Sequence, residues 1–224
     1  MKKLFYNLIL PVTFVALLLL SVIAVSQCRP FFRYQYDKLD RAEYIGMRED
    51  DLMAVTDHLL SYMAGSRDNL DMQYGVKGSM REIFDEREKL HMVDVKNLYM
   101  GVIYIGAGLL AVAAAMTAFV MKKDGVKTAK GILKKKYKFA AIGLLLVVGA
   151  LGGMVAADFQ TFWYKFHTVF FTNDLWLLDP RVSIMINMFP LEFFYAIVTT
   201  IIVVFVLLCT AVYLVLKSGK KAPL

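Results

Sequence analysis

Four long apolar runs, none carrying an Asp, Glu, Lys, Arg or His, constrain this chain more than anything else in it. They cover Leu4–Val25, Leu98–Met121, Phe139–Ala157 and Phe193–Leu216. A hydrocarbon core of roughly 30 Å needs about 20 apolar residues in a helix rising about 1.5 Å per residue. Lipid leaves no partner for a free backbone N–H or C=O, so such runs must be helical. The expected fold is an all-α integral membrane protein with four transmembrane helices, a mostly helical outer segment after helix 1 and an aromatic interfacial segment after helix 3.

The charges sort by side. Residues 1–26, 122–138 and 217–224 together carry 13 basic residues and the single acid Asp124. Segments 27–97 and 158–192 carry 13 basic and 18 acidic residues. By the positive-inside rule both termini and the Lys-rich loop 122–138 are expected in the cytoplasm, which puts 27–97 and 158–192 outside. The net charge of +7 is thus no nucleic-acid signal, and membrane lipids are the expected counter-charge. Expected spans are 1–26, 98–121, 139–157 and 193–216. Ser26-Gln27-Cys28 imitates a lipoprotein cleavage site, but Gln27 is large and polar there, so the first run reads as a retained helix. Cys28 and Cys209 show no metal-ligand or disulfide spacing.

Within 27–97, Leu52, Val55, Leu59, Tyr62 and Met63 have near-helical spacing. A second helix is expected from Ser79, with Glu82 completing a capping box, running unbroken into the second span. Segment 158–192 is dense in Phe, Trp and Tyr, as membrane–water interfaces are. Asp179-Pro180 reads as a turn, and Ile184, Met185 and Met188 as an apolar face lying on the bilayer. Gly149 and Gly153 form a Gly-x-x-x-Gly pair expected to pack inside the bundle.

All three histidines fall in the outer segments. His91 lies seven residues before Leu98 and His167 ten after Ala157, so both can reach the depth of lipid ester bonds. Phe84, Glu88, His91, Val95 and Leu98 share a helix face. Two interfacial histidines with acids nearby (Asp94, Asp158, Asp174, Asp179) suit proton transfer, while His58 reads as structural. No His-x-x-x-His, Cys-x-x-Cys or Gly-x-Ser-x-Gly spacing points to a metal or a Ser nucleophile. No cofactor is expected. A non-enzymatic accessory or sensor subunit, binding a partner through its outer segments, is the other class open. Spans without ionisable residues argue against a transporter.

The runs Arg81–Lys96, with His91-Met-Val-Asp94-Val, and Phe166–Pro190, with Trp176-Leu-Leu-Asp179-Pro180, resemble the hallmark segments of the bacterial lipoprotein intramolecular transacylase family. The four-span layout is similar end to end. Ser183 departs from it, standing where an acid often follows the Asp-Pro. The resemblance implies an enzyme of Gram-positive cell envelopes acting outside the plasma membrane on the N-terminus of a diacylated lipoprotein. The sn-2 acyl chain would move to the α-amino group of the N-terminal cysteine, giving lyso-form lipoprotein. It implies His91 and His167 as the catalytic pair, with Asp94, Asp158, Asn173, Asp174, Trp176 and Asp179 as supporting or orienting residues.

Overall fold

A computed structural model describes residues 2–218, apart from the side chain of Leu151; the end of the expected tail, with Lys220 and Lys221, lies outside the described residues. Eleven elements follow one another in this part of the chain. They are α1 (Lys2–Ser26), α2 (Arg29–Lys38), α3 (Arg41–Ile45), α4 (Glu49–Met63), β1 (Gln73–Val76), β2 (Ser79–Glu82), α5 (Glu86–Asp124), α6 (Val126–Ala157), α7 (Phe159–Phe170), α8 (Ile184–Met188) and α9 (Leu191–Lys217). Helices α1, α5, α6 and α9 are long and apolar enough to cross a membrane. The chain folds as a multi-pass, predominantly helical membrane protein with one short β-hairpin.

It divides into two units. The first comprises 1–22, 103–163 and 201–224. There α1, α5, α6 and α9 share a buried cluster around Tyr6, Val120, Leu133 and Leu216. A second cluster joins Phe14 and Leu17 to Phe205 and Cys209. The expected Lys-rich loop is helical apart from Gly125, which takes φ +79° between α5 and α6. Lysine is a good helix former, and a glycine in the left-handed region suffices to turn the chain. The Gly-x-x-x-Gly expectation fails here: a Cβ on Gly149 or Gly153 would meet nothing within 4 Å. The bundle is held by larger side chains instead.

The second unit comprises 23–102 and 164–200 and has an inward core of its own. Phe32 and Tyr36 of α2, Phe189, and Phe193 of α9 meet as an aromatic cluster with centroids 5.1–6.4 Å apart. Leu52, Val55 and Leu59 of α4 fill in beneath, each nearly inaccessible. Burying a side chain of this size stabilises by about 1.5–3 kcal/mol. His58 points off this face and meets the Asn69 carbonyl at 3.0 Å, a local tie.

Two expectations are corrected in this unit. Ser79–Glu82 is not the start of a helix but the second strand of a hairpin with Gln73–Val76. Lys77 and Gly78 both have positive φ (51° and 79°), the signature of the two-residue turns that match strand twist. The Lys77 N–H also donates to the Gly46 carbonyl at 2.7 Å, tethering the hairpin tip. The capping box sits six residues later. The Asp85 carboxylate accepts from the Glu88 N–H at 2.8 Å, and Glu88 accepts from the Asp85 N–H at 2.7 Å. Secondly, Ile184, Met185 and Met188 do not lie open as a bilayer face. All three are buried in the aromatic core, because α8 is one short turn pinned at its start to α5.

Candidate active site

The two histidines singled out by sequence come together inside the second unit. His91 lies near the start of α5, on the buried face that also carries Glu88, Met92 and Tyr99. His167 lies in the last turn of α7. Their rings are 6.1 Å apart at 37° and are only 7% and 4% exposed. Phe171 closes the space beside both, 5.4 Å from His91 and 5.6 Å from His167. Trp176 stacks on His167 at 4.6 Å.

A short chain of polar contacts returns from that tryptophan to α5. The Trp176 indole N–H donates to the Asn173 carbonyl at 2.9 Å. The Asn173 side-chain amide donates to Asp94 Oδ2 at 2.8 Å. Asp94 follows His91 by three residues, on the next turn of α5. Its charge favours a protonated His91, but burial and the nearby His167 outweigh it and hold the His91 imidazole down at about 4. His91 is therefore neutral at physiological pH. Its Nδ1 is buried with no hydrogen-bond partner among the described residues. A neutral, uncommitted ring nitrogen in an apolar wall is a base waiting for a proton donor.

The remaining candidates are spent on local structure. Arg87 takes Asp174 at 3.1 Å through its carboxylate, and also bonds its backbone carbonyl. Asp179 holds the Arg181 guanidinium and backbone N–H, which lowers its carboxyl to about 2, and its carbonyl accepts from the Ser183 N–H. That is turn chemistry. Asp158, in the first unit, ends α6 and accepts from the Thr161 N–H at 3.0 Å, so it starts α7.

Sequence reasoning set one residue of this neighbourhood on the His91 face without giving it a role. Glu88, on the turn before His91, is a carboxylate only 1% exposed. Its Oε1 accepts from the Ser183 hydroxyl and the Met185 N–H, its Oε2 from the Asp85 N–H. Burial raises its pKa, and these three donors oppose that. Ser183, where the resemblance led one to expect an acid, is thus the partner of an acid on α5 and the N-cap of α8. The Asp85-x-x-Glu88 spacing was the available signal. Among the described residues no group of three or more His, Cys, Asp or Glu is placed to hold a metal.

A profile described as lipoprotein intramolecular transacylase Lit matches residues 7–194. The chain belongs to this family. It is accordingly an acyltransferase. A comparison with curated protein sequences finds no match. Among solved structures, the in meso structure of the membrane-integral lipoprotein intramolecular transacylase Lit from Bacillus cereus is similar to it. The TM-score is 0.75 and the identity 22%, over 97% of this chain and 96% of that one. Two variants of the same Bacillus cereus protein, one with a histidine replaced by arginine and one by alanine, also match at TM-score 0.75 and 21% identity. They cover 97% of this chain and 92% and 94% of theirs. At this identity the structural likeness speaks for the fold, and the family profile for the membership.

Proposed function

We propose that this acyltransferase moves the sn-2 acyl chain of a diacylglyceryl-modified lipoprotein to the α-amino group of its N-terminal cysteine, with His91 as proton shuttle and His167 as its partner. The observation that carries the reading is the pair of buried imidazoles 6.1 Å apart, with Nδ1 of His91 uncommitted. The substrate brings its own nucleophile. An α-amino group titrates at about 7.7–8.0, so a useful fraction is free at neutral pH. The amine nitrogen attacks the ester carbonyl carbon and hands its proton to Nδ1 of His91. Collapse of the tetrahedral intermediate breaks the C–O bond, and the same proton passes to the departing glycerol oxygen. An ester and an amine become an amide and an alcohol, with no net proton gained or lost.

Buried histidine suits the leaving-group step. A base held near 4 gives up its proton readily to an alkoxide, and positioned proton transfer contributes typically 10²–10⁴-fold. Both reactants are tethered on one molecule, so the enzyme needs only to hold the productive conformer. We assign His167 to the developing oxyanion. Asp94, Asn173 and Trp176 act as positioning residues, since the contact chain they form sets where the His167 ring stacks.

The same reading puts both termini and the Lys-rich segment 122–138 on the cytoplasmic side of the membrane, with segments 27–97 and 158–192 outside, following the charge asymmetry. Impermeant thiol labelling of single cysteines introduced at exposed Ser66 and Lys122 tests this: only the first should react in intact cells. The activity test uses the purified protein and a synthetic diacylated lipopeptide. Fragmentation mass spectrometry should find one acyl group on the N-terminal amine. Persistence of both chains on glycerol with folded protein overturns the reading.

A further inference from the structure

Helix α6 runs for 32 residues, but its own apolar stretch starts only at Phe139. Its partners in the first unit show where that start lies. Tyr137 sits edge-on to Phe14 of α1 at 5.5 Å and 5.3 Å from Tyr213 of α9, and its hydroxyl donates to the Cys209 carbonyl at 2.9 Å. Cys209 is seven residues inside the apolar end of α9 at Leu216, about 10 Å along a helix. Phe14 is ten residues inside the apolar start of α1 at Leu4, about 15 Å. Lys134, Lys135, Lys136 and Lys138 therefore run alongside the apolar lengths of α1 and α9, where their neighbours are built for hydrocarbon.

Lys136 turns inward and donates to Asn7 at 2.7 Å. Lys134, Lys135 and Lys138 are exposed on the flank of α6, away from the buried Ala129 and Leu133. Among the described residues no carboxylate pairs with any of the three. The one acid of this region, Asp124, is occupied by Lys2 at 2.7 Å and the Tyr6 hydroxyl at 3.0 Å. An ammonium at this depth reaches the interface along its methylene stem, or draws a counter-charge down to itself.

We propose that Lys134, Lys135 and Lys138 form a seat for the phosphate headgroup of an anionic phospholipid, whose acyl chains lie against the flank of α6. Lys134 and Lys138 are one turn apart on one face, with Lys135 beside them, so three long flexible ammonium side chains are within reach of one phosphate. A zwitterionic lipid offers the same phosphate together with a cationic amine that these lysines repel, so the site discriminates on net charge.

The test is competitive lipid retention by the full-length protein, read by native mass spectrometry. The protein is extracted from mixed bilayers of phosphatidylglycerol and phosphatidylcholine with matched chains. Wild type should retain phosphatidylglycerol with a preference on the order of a hundredfold, about fivefold for each of three basic residues near an anionic charge. The Lys134→Gln/Lys135→Gln/Lys138→Gln triple variant should lose that preference. The corresponding triple Arg variant should keep it, and Lys122→Gln/Lys123→Gln should change it little. Equal retention of the two lipids by wild type overturns the proposal. So does an undiminished preference in the triple Gln variant, or displacement of the lipid by excess inorganic phosphate. If the Gln variant fails to fold, the wild-type competition and the Arg variant still decide.

Discussion

The two units solve opposite solvent problems, and their buried polar groups show it. In the first unit the one fully buried polar side chain among the described residues is Ser21, which bonds the Leu17 carbonyl of its own helix. Large apolar side chains such as Leu145, Leu146 and Leu207 face outward, each more than 60% exposed. The second unit buries Gln35, Thr56, Glu88, His91, His167 and Ser183, and turns its aromatics inward as a water-soluble domain does. A lipid-facing bundle gains little from internal polarity, since each buried polar group must find its partner inside the bundle. A unit with a true core can hold polar groups in fixed places. Chemistry belongs to the second kind.

The sharpest way to break this comparison is to remove the imidazoles. His91→Ala or His167→Ala should lower the rate of acyl transfer by about 10²–10⁴-fold. The double variant should be scarcely worse than either single one, because residues acting as one unit are non-additive. Initial rates of lipopeptide conversion measure this, with thermal unfolding in detergent as the folding control. Additive losses would mean that the two rings work independently.

Glu88 comes next. Glu88→Ala strands the Ser183 hydroxyl and the N–H groups of Met185 and Asp85. With about 1–3 kcal/mol for each buried group left unsatisfied, the loss should be roughly 3 kcal/mol or more. A midpoint in thermal unfolding within a degree or two of wild type would show that water or side-chain movement replaces the carboxylate.

How far this was readable beforehand differs between the units for the same reason. A membrane span announces itself through twenty apolar residues in a row, so four helices could be placed from composition alone. His91 and His167 stood out because a titratable ring at the edge of a span is conspicuous. Glu88 was hidden because a glutamate in a first helical turn is usually solvated, and only the contact with Ser183, 95 residues later, makes it internal. Ser79-x-x-Glu82 and Asp85-x-x-Glu88 carry the same local capping signal. Choosing between them required the hairpin, whose turn residue Lys77 does not look like a turn former. The apolar face of Ile184, Met185 and Met188 fits a bilayer or a core equally well, and only long-range packing decided for the core.

A smaller effect is expected with pH. His91 is held at about 4, chiefly by burial, then by His167, with Asp94 opposing. In an unfolded chain the ring titrates near 6.5. Because the folded value is the lower one, the contribution to stability is complete above about pH 6.5 and is lost as pH falls towards about 4. Wild type should lose unfolding temperature across that window, and His91→Phe should lose less of it. The substrate amine, titrating at about 7.7–8.0, sets the first acid limb of the transfer rate, and His91 should add a second one near 4. An acid limb at 6.5 would place the titrating base in a wetter setting than the one His91 occupies.

The smallest effects are expected from glycines, where the contrast between the units becomes a paired experiment. Gly46, in the second unit, sits at φ +80°, and a Cβ there would lie 2.6 Å from Lys77 Cγ and 3.3 Å from the Lys77 nitrogen. Gly46→Ala combines a left-handed backbone, which costs about 1–2 kcal/mol for an L-residue, with crowding of the hairpin tip. Gly153, in α6, has ordinary helical geometry and open space where its Cβ would stand. Alanine is the better helix former by about 1 kcal/mol, and nothing opposes it, so Gly153→Ala should leave the unfolding temperature unchanged or slightly raised. Paired melts of the two variants give the answer directly. A drop for Gly153→Ala as large as that for Gly46→Ala would show that the small-residue face of α6 is packed against another surface in the membrane, and that the first unit relies on close backbone contact after all.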